Sequence, residues 1–314
     1  NVSVDADDFE FLELHNGTSN TVGLAGMQFS NGITFSFTLG SVASLAPDAH
    51  VLVVKNLEAF TNRYPQAGLL IAGEYDGSLA NSGESITLKD GLGDVVLSFT
   101  YSDNRGWPLA ADGAGHALVP LVFTGQDKGV LDYGGNWRAG TYRDGSPGVP
   151  EPPYPDSVLI NEVIAHTDYT NVLHPGYDSN DSIELYNAGT STVSFAQWYL
   201  SDSDADLKKW PIPVSNSLAA ASWTVFDEVS GFHSPITNGF GLNKAGDEVY
   251  LSYLPGTSQD RVVDTVRFKG QENGPSLGRY PDGNAWWYTL TSTTNSASPT
   301  NAAPVFEVVI REFM

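Results

Sequence analysis

Asp202, Asp204 and Asp206 set three carboxylates at alternate positions, and oxygen-rich loops of that kind can bind Ca²⁺. The calcium-loop motif needs Gly at its sixth position and Glu at its twelfth. Leu207 and Pro213 stand there, so this is not an EF-hand, and a solvated inter-strand loop is the plain alternative. Asp168, Asp178 and Asp181 share a long connection with His166 and His174, donors that could hold zinc but that loops also collect without a metal. Asp5, Asp7 and Asp8 read as solvation of a strand edge. For contact chemistry the better candidates are aromatic. Tyr280, Trp286, Trp287 and Tyr288 fall in one short segment, where exposed rings can stack on sugars or anchor a protein contact. Most tryptophans in a domain of this size complete the core, so exposure decides between the two roles.

Bond-breaking chemistry finds less support. A serine hydrolase needs Ser held near a base, yet no Gly-x-Ser-x-Gly elbow is expected, and the six histidines (His15, His50, His116, His166, His174, His233) follow no recognisable pattern. His15 and His116 read as half-buried strand or turn residues. With a net charge of −22, paired carboxylates are common and say little about glycosidase activity. Residues 1–155 carry 18 acidic and 7 basic side chains and residues 156–314 carry 19 and 8, so both halves are equally acidic. Nucleic-acid affinity depends on cationic groups displacing phosphate counterions, which argues against that partner. The absence of cysteine excludes disulfides and thiolate zinc sites. No apolar run reaches the 18 residues of a membrane span. Asn1 is neither an initiator Met nor part of a signal peptide, and the chain is expected to be a processed form or a piece of something longer.

The elements that would position these residues are strands, and they come in two copies. Phe11–Gly17 (Phe-Leu-Glu-Leu-His-Asn-Gly) is echoed by Ser182–Gly189 (Ser-Ile-Glu-Leu-Tyr-Asn-Ala-Gly). In both, aliphatic residues alternate with polar or aromatic ones, the period of a strand with one buried face, and an Asn-containing turn stops it. Further strands are expected at 32–39, 49–55, 82–88 and 94–101, with a short helical turn between Leu57 and Tyr64. Trp198–Leu200, Ser222–Phe226, Ala245–Leu251 and Arg261–Phe268 continue the second copy in the same order. Residues 149–155 hold four prolines, which favour a stiff, extended connection. The reading is therefore a first domain at 1–151, a second at 152–303 and an added strand at 304–314. The first domain lacks any counterpart of the second's opening strand, Val158–Val163.

Leu159–Val163, Ser182–Asn187, Trp198–Asp202, Leu242–Leu251 with Gly246 and Asp247, Ser276–Gly283 and the closing Ser298–Asn301 together resemble the lamin tail domain. The second half covers the pattern almost end to end. The first departs from it, with Gly26–Ser30 in place of the Trp-containing strand. The resemblance implies an all-β fold of two immunoglobulin-like β-sandwiches in tandem, with a binding or architectural role and no catalytic residues. It also implies a bacterial exported or surface protein, located outside the cell.

Ile310–Phe313 resembles Ile160–Val163 at a spacing of 150 residues, so the last segment looks like the first strand of a following repeat. Val308, Val309, Ile310 and Phe313 are accordingly expected to seek a sheet edge, by strand exchange between chains or by folding back. The expected function is a non-enzymatic spacer or adhesion unit that contacts a protein or cell-surface polymer and neighbouring modules of its parent protein. The alternatives are a carbohydrate-binding accessory module of a hydrolytic enzyme and a calcium-dependent adhesion module. No other cofactor is expected.

Overall fold

The structure is a computed structural model that describes residues 5–121, 129–155, 157–170 and 175–291. The fold is all-β, and the chain divides after Pro153 into two compact units.

Unit 1 contains β1 (Phe11–His15), β2 (Val22–Gly23), β3 (Gln28–Asn31), β4 (Ile33–Ser36), β5 (Ser44–Leu45) and β6 (His50–Val54). After helix α1 (Leu57–Arg63) come β7 (Ile71–Glu74), β8 (Asp76–Gly77), β9 (Ser85–Lys89), β10 (Val95–Thr100), β11 (His116–Pro120) and β12 (Trp137–Arg143). They form sheets in the orders β1-β6-β7 and β10-β9-β3-β4-β8, with the two-stranded pieces β2-β5 and β11-β12. Phe29, Ile33, Phe35, Phe37, Val53, Ile86 and Leu88 build the core between them. The helical turn expected near Leu57 is α1, capped where the Asn56 side chain accepts from the Ala59 N–H at 3.0 Å. It buries Phe60 against Phe11 and Tyr64.

Unit 2 contains β13 (Val158–Ile164), β14 (Ser182–Asn187), β15 (Val193–Ser194), β16 (Trp198–Ser201), β17 (Trp210–Pro211) and β18 (Ser217–Leu218). It continues with β19 (Ser222–Asp227), β20 (Glu248–Tyr253), β21 (Arg261–Arg267), β22 (Ser276–Arg279) and β23 (Trp287–Leu290). Its two main sheets run β19-β14-β13-β22-β23 and β17-β16-β20-β21. Ile160, Val163, Ile183, Leu185, Phe195, Trp198, Leu200, Val249 and Leu251 fill the space between them. Each such side chain contributes about 1.5–3 kcal/mol of burial.

The two units reuse one local design. Asn16 ends β1 by donating from Nδ2 to the carbonyls of Asn20 (2.8 Å) and Leu45 (2.9 Å). Asn187 ends β14 by donating to the carbonyls of Ser191 (2.8 Å) and Leu218 (3.0 Å). The next chain pass enters at a residue with positive φ in both units, Asp48 at 59° and Ala221 at 50°. Gly83 and Gly246 also correspond. Their φ values are 99° and 130°, and a Cβ would stand 2.3 Å from the Tyr101 carbonyl and 2.9 Å from that of Phe268. Only glycine allows this approach of two backbones.

One sequence expectation fails. β14 was expected to bury one face, yet Ser182, Ile183, Glu184, Leu185 and Asn187 are all buried. Residues 280–283 and 228–242 close over the second face, as contacts of Glu184 and Asp181 show below.

Candidate functional site

The β22–β23 hairpin carries the predicted aromatic group. Arg279, buried on β22, donates from Nε to the Ile160 carbonyl at 2.8 Å and from Nη2 to both Asp264 carboxylate oxygens at 3.1 and 2.9 Å. Asp264 lies on β21, so this pair ties one main sheet to the other. The same guanidinium stacks over Trp287, its Cζ 4.6 Å from the ring centroid, and Trp287 packs on the core. Tyr280 and Tyr288 are half-buried. Trp286, in contrast, is 70% exposed, and its backbone N–H donates to Asn284 Oδ1 at 3.2 Å. The four aromatics thus divide between one solvent-facing ring and three built into the hairpin.

Behind the hairpin lies a buried polar layer that sequence reasoning missed. Asn161 and Glu162 on β13 and Glu184 on β14 are all buried. Asn161 Nδ2 donates to Glu184 Oε1 at 2.7 Å and Asp282 Oδ1 at 3.0 Å, and its Oδ1 accepts from the Gly283 N–H at 3.0 Å. Desolvation pushes the Glu184 carboxyl up to about 7, helped by Glu162 and Asp282 and opposed by the Asn161 hydrogen bond. A second buried group joins Asp181, whose Oδ2 accepts from the Leu242 N–H at 2.7 Å, to Glu228, which meets His233 Nδ1 at 2.7 Å. Burial holds the Asp181 carboxyl well above the usual carboxylate range, and Glu228 adds to the effect. The only signal for either group was an acidic residue inside an otherwise strand-like stretch, which looks the same when it faces water.

The side chains of the other predicted sites make contacts of their own. Asp202 pairs with Lys209 Nζ at 2.5 Å, while Asp204 and Asp206 accept from the backbone N–H groups of Ala205 and Lys208 at 2.8 and 3.1 Å. His166 contacts the Gln271 carbonyl, Asp168 accepts from Asn273 at 2.6 Å and Asp178 from Lys244 at 2.9 Å. His174 lies outside the described residues. Among the described residues no group of three or more His, Asp or Glu is arranged to hold a metal ion. Asp5 and Asp8 close a short turn, with the Asp5 N–H donating to Asp8 Oδ2 at 2.9 Å.

His116 departs from the half-buried expectation. It is buried, Nδ1 lies 2.7 Å from the Gly140 carbonyl, and desolvation lowers its imidazole to about 4. His15 is partly exposed beside Asp48. The expectation of no Gly-x-Ser-x-Gly elbow needs correcting at the level of sequence, since Gly274, Pro275, Ser276, Leu277 and Gly278 spell the motif. Ser276 sits inside β22 with a buried side chain, not on an exposed strand-to-helix elbow, so the context that gives the motif its chemistry is missing. Val308, Val309, Ile310 and Phe313 lie outside the described residues.

Residues 151–270 match the family model described as Lamin Tail Domain. Unit 2 contains a lamin tail domain. Comparison with curated proteins and with solved structures found no match. The matched range takes in the buried Asn161–Glu184 layer and the Asp202 loop of the lamin tail domain, and it stops before the β22–β23 hairpin. The immunoglobulin-like fold of this family fits a non-enzymatic module. Among the described residues, no helix is long and apolar enough to cross a membrane.

Proposed function

We propose that the chain is a tandem pair of immunoglobulin-like lamin tail modules, non-enzymatic, serving as a spacer and a protein- or surface-binding unit of a larger bacterial exported protein. The observation that carries this reading is Trp286, exposed beside a neighbour that the Arg279–Asp264 pair locks in place. A ring held out on a stiff hairpin loses little conformational freedom on contact, the property of an interface anchor. The polar residues of unit 2 support the same reading, because Arg279, Asp264, Asn161 and Glu184 are spent on one another. Matching asparagine clamps and glycine contacts support counting unit 1 as a second module.

The test compares wild-type chain and Trp286→Ala for binding to purified bacterial envelope fragments. A Trp hot spot is worth at least about 2 kcal/mol, so binding should weaken roughly 30-fold with the melting temperature unchanged. Equal binding by the two proteins refutes the role of Trp286. Loss of binding in the presence of a soluble polysaccharide would transfer the assignment to the carbohydrate-binding alternative, and a chelator-reversible rise in melting temperature with Ca²⁺ would transfer it to calcium-dependent adhesion.

A further inference from the structure

In unit 1 the ladder between β1 and β6 ends on a pair of histidines, His15 lying directly opposite His50 in the antiparallel register. The Asn16 N–H donates to the Ala49 carbonyl at 3.0 Å, a bond that flanks the pair. His15 and His50 therefore occupy a non-hydrogen-bonded position, where side chains on neighbouring strands come closest. Their rings stand 4.5 Å apart between centroids, with 31° between the planes.

Each ring is oriented by a carboxylate at one nitrogen. His50 Nδ1 lies 2.9 Å from Glu13 Oε1, and Glu13 is itself fixed because its Oε2 accepts from the Gly148 N–H. His15 Nε2 lies 3.0 Å from Asp48 Oδ1. A carboxylate accepts and does not donate, so in the neutral imidazoles these nitrogens carry the proton. The lone pairs are then left on His15 Nδ1 and His50 Nε2, which take no hydrogen bond among the described residues. Asp48 is 90% exposed and His15 keeps part of its surface in water, so solvent reaches the pair.

Packing alone does not call for imidazole here. In unit 2 the residue before the Asn187 clamp and the one across from it are Tyr186 and Trp223, paired in the corresponding register, and Ala221 stands where Asp48 stands. Two ordinary aromatics close that strand end without a carboxylate on either ring nitrogen. Unit 1 places two imidazoles, each with its own carboxylate, at the same positions.

We propose that His15 and His50 bind a divalent transition-metal ion of the kind that accepts imidazole nitrogen, such as Zn²⁺. His15 Nδ1 and His50 Nε2 are its protein ligands, and water completes the shell. Metal–nitrogen bonds of about 2.0–2.1 Å bring two imidazoles on one ion side by side, as these rings already stand. A carboxylate on the far nitrogen is the usual companion of a metal-bound histidine, since it fixes the tautomer and raises the basicity of the ligand nitrogen. The excess of acidic side chains, 18 against 7 basic in residues 1–155, draws cations to this unit. Two protein ligands make an exchangeable site, so the groups of three or more that are absent among the described residues are not required. Nitrogen donors disfavour Ca²⁺ and Mg²⁺, which take oxygen. The site goes beyond the function proposed above and does not depend on Trp286.

Titration calorimetry of the full chain with Zn²⁺ should show one saturable site, and the ion should raise the unit 1 melting transition while leaving that of unit 2 in place. The double variant His15→Tyr/His50→Trp, which installs the unit 2 pair, should weaken binding at least tenfold. Asp48→Asn, a change at an exposed residue, should weaken it about tenfold through the lost orienting carboxylate. With Cu²⁺ in place of Zn²⁺, electron paramagnetic resonance should count two nitrogen ligands in wild type and one in His15→Gln, a readout that does not depend on the stability of the double variant. A wild-type chain that takes up no Zn²⁺ overturns the proposal. So does an affinity unchanged in the double variant, or a nitrogen count unchanged in His15→Gln, since the ion would then sit elsewhere. Failure here with envelope binding still dependent on Trp286 would leave the function proposed above intact.

Discussion

Replacing Glu184 with Gln should make the stability of unit 2 less sensitive to pH. The folded-state value of this carboxyl, about 7, lies above its ordinary 4.5, because the side chain is buried between β13 and residues 280–283 beside Glu162 and Asp282. The folded chain therefore holds the proton more tightly than the unfolded chain. The stability this confers is complete below about pH 4.5 and is lost as pH rises through about 7. At about 1.4 kcal/mol per tenfold, the swing is about 3 kcal/mol. Gln keeps an oxygen for the Asn161 Nδ2 donor, which approaches Glu184 Oε1 at 2.7 Å, and never ionises. Calorimetry of the full chain at pH 4.5, 6 and 8 should show the unit 2 transition of Glu184→Gln gaining on wild type as pH rises. The relative shift amounts to roughly 6–12 °C for a domain of this size. Parallel curves, with a constant offset at every pH, would refute the claim that a desolvated carboxylate sits in this layer.

Three further outcomes follow from the same contacts. Asn16→Ala and Asn187→Ala remove side chains that donate to three and to two carbonyls, and each should cost about 2–4 kcal/mol in its own unit while leaving the other calorimetric transition in place. Gly246→Ala, at φ 130° with a Cβ 2.9 Å from the Phe268 carbonyl, should cost more in urea unfolding than Gly256→Ala, at φ 77° with nothing within 4 Å, which should cost about 1 kcal/mol. Trp286→Ala should leave unit 2 stability within about 0.5 kcal/mol of wild type, whereas Trp287→Ala should lower it by about 3 kcal/mol, both read from denaturant midpoints.

Much of the strand order was legible because a pleated element announces itself locally. Alternation in Phe11–His15 and Ser182–Asn187, the turn after Asn16 and Asn187, and glycine at Gly83 and Gly246 are properties of a few neighbouring residues. The same alternation was silent on the site. It told which residues share a face of β14 and not whether the second face would be covered, so Glu184 looked like a solvent-facing residue until residues 280–283 closed over it. The aromatic cluster was visible as composition. Its division into Trp286 outside and Trp287 inside depended on Arg279 reaching Asp264 across the sandwich, a contact between residues on different sheets.

The sequence by itself determined that strand-like alternation recurs in both halves, that each half is acidic, and that residues 308–313 echo Val158–Val163. Tertiary structure decided which acidic residues lose their water and which tryptophan keeps its exposure. The physical reason is range. Backbone preference and side-chain alternation act between near neighbours, whereas desolvation and sheet completion are set by whatever distant segment comes to rest against them.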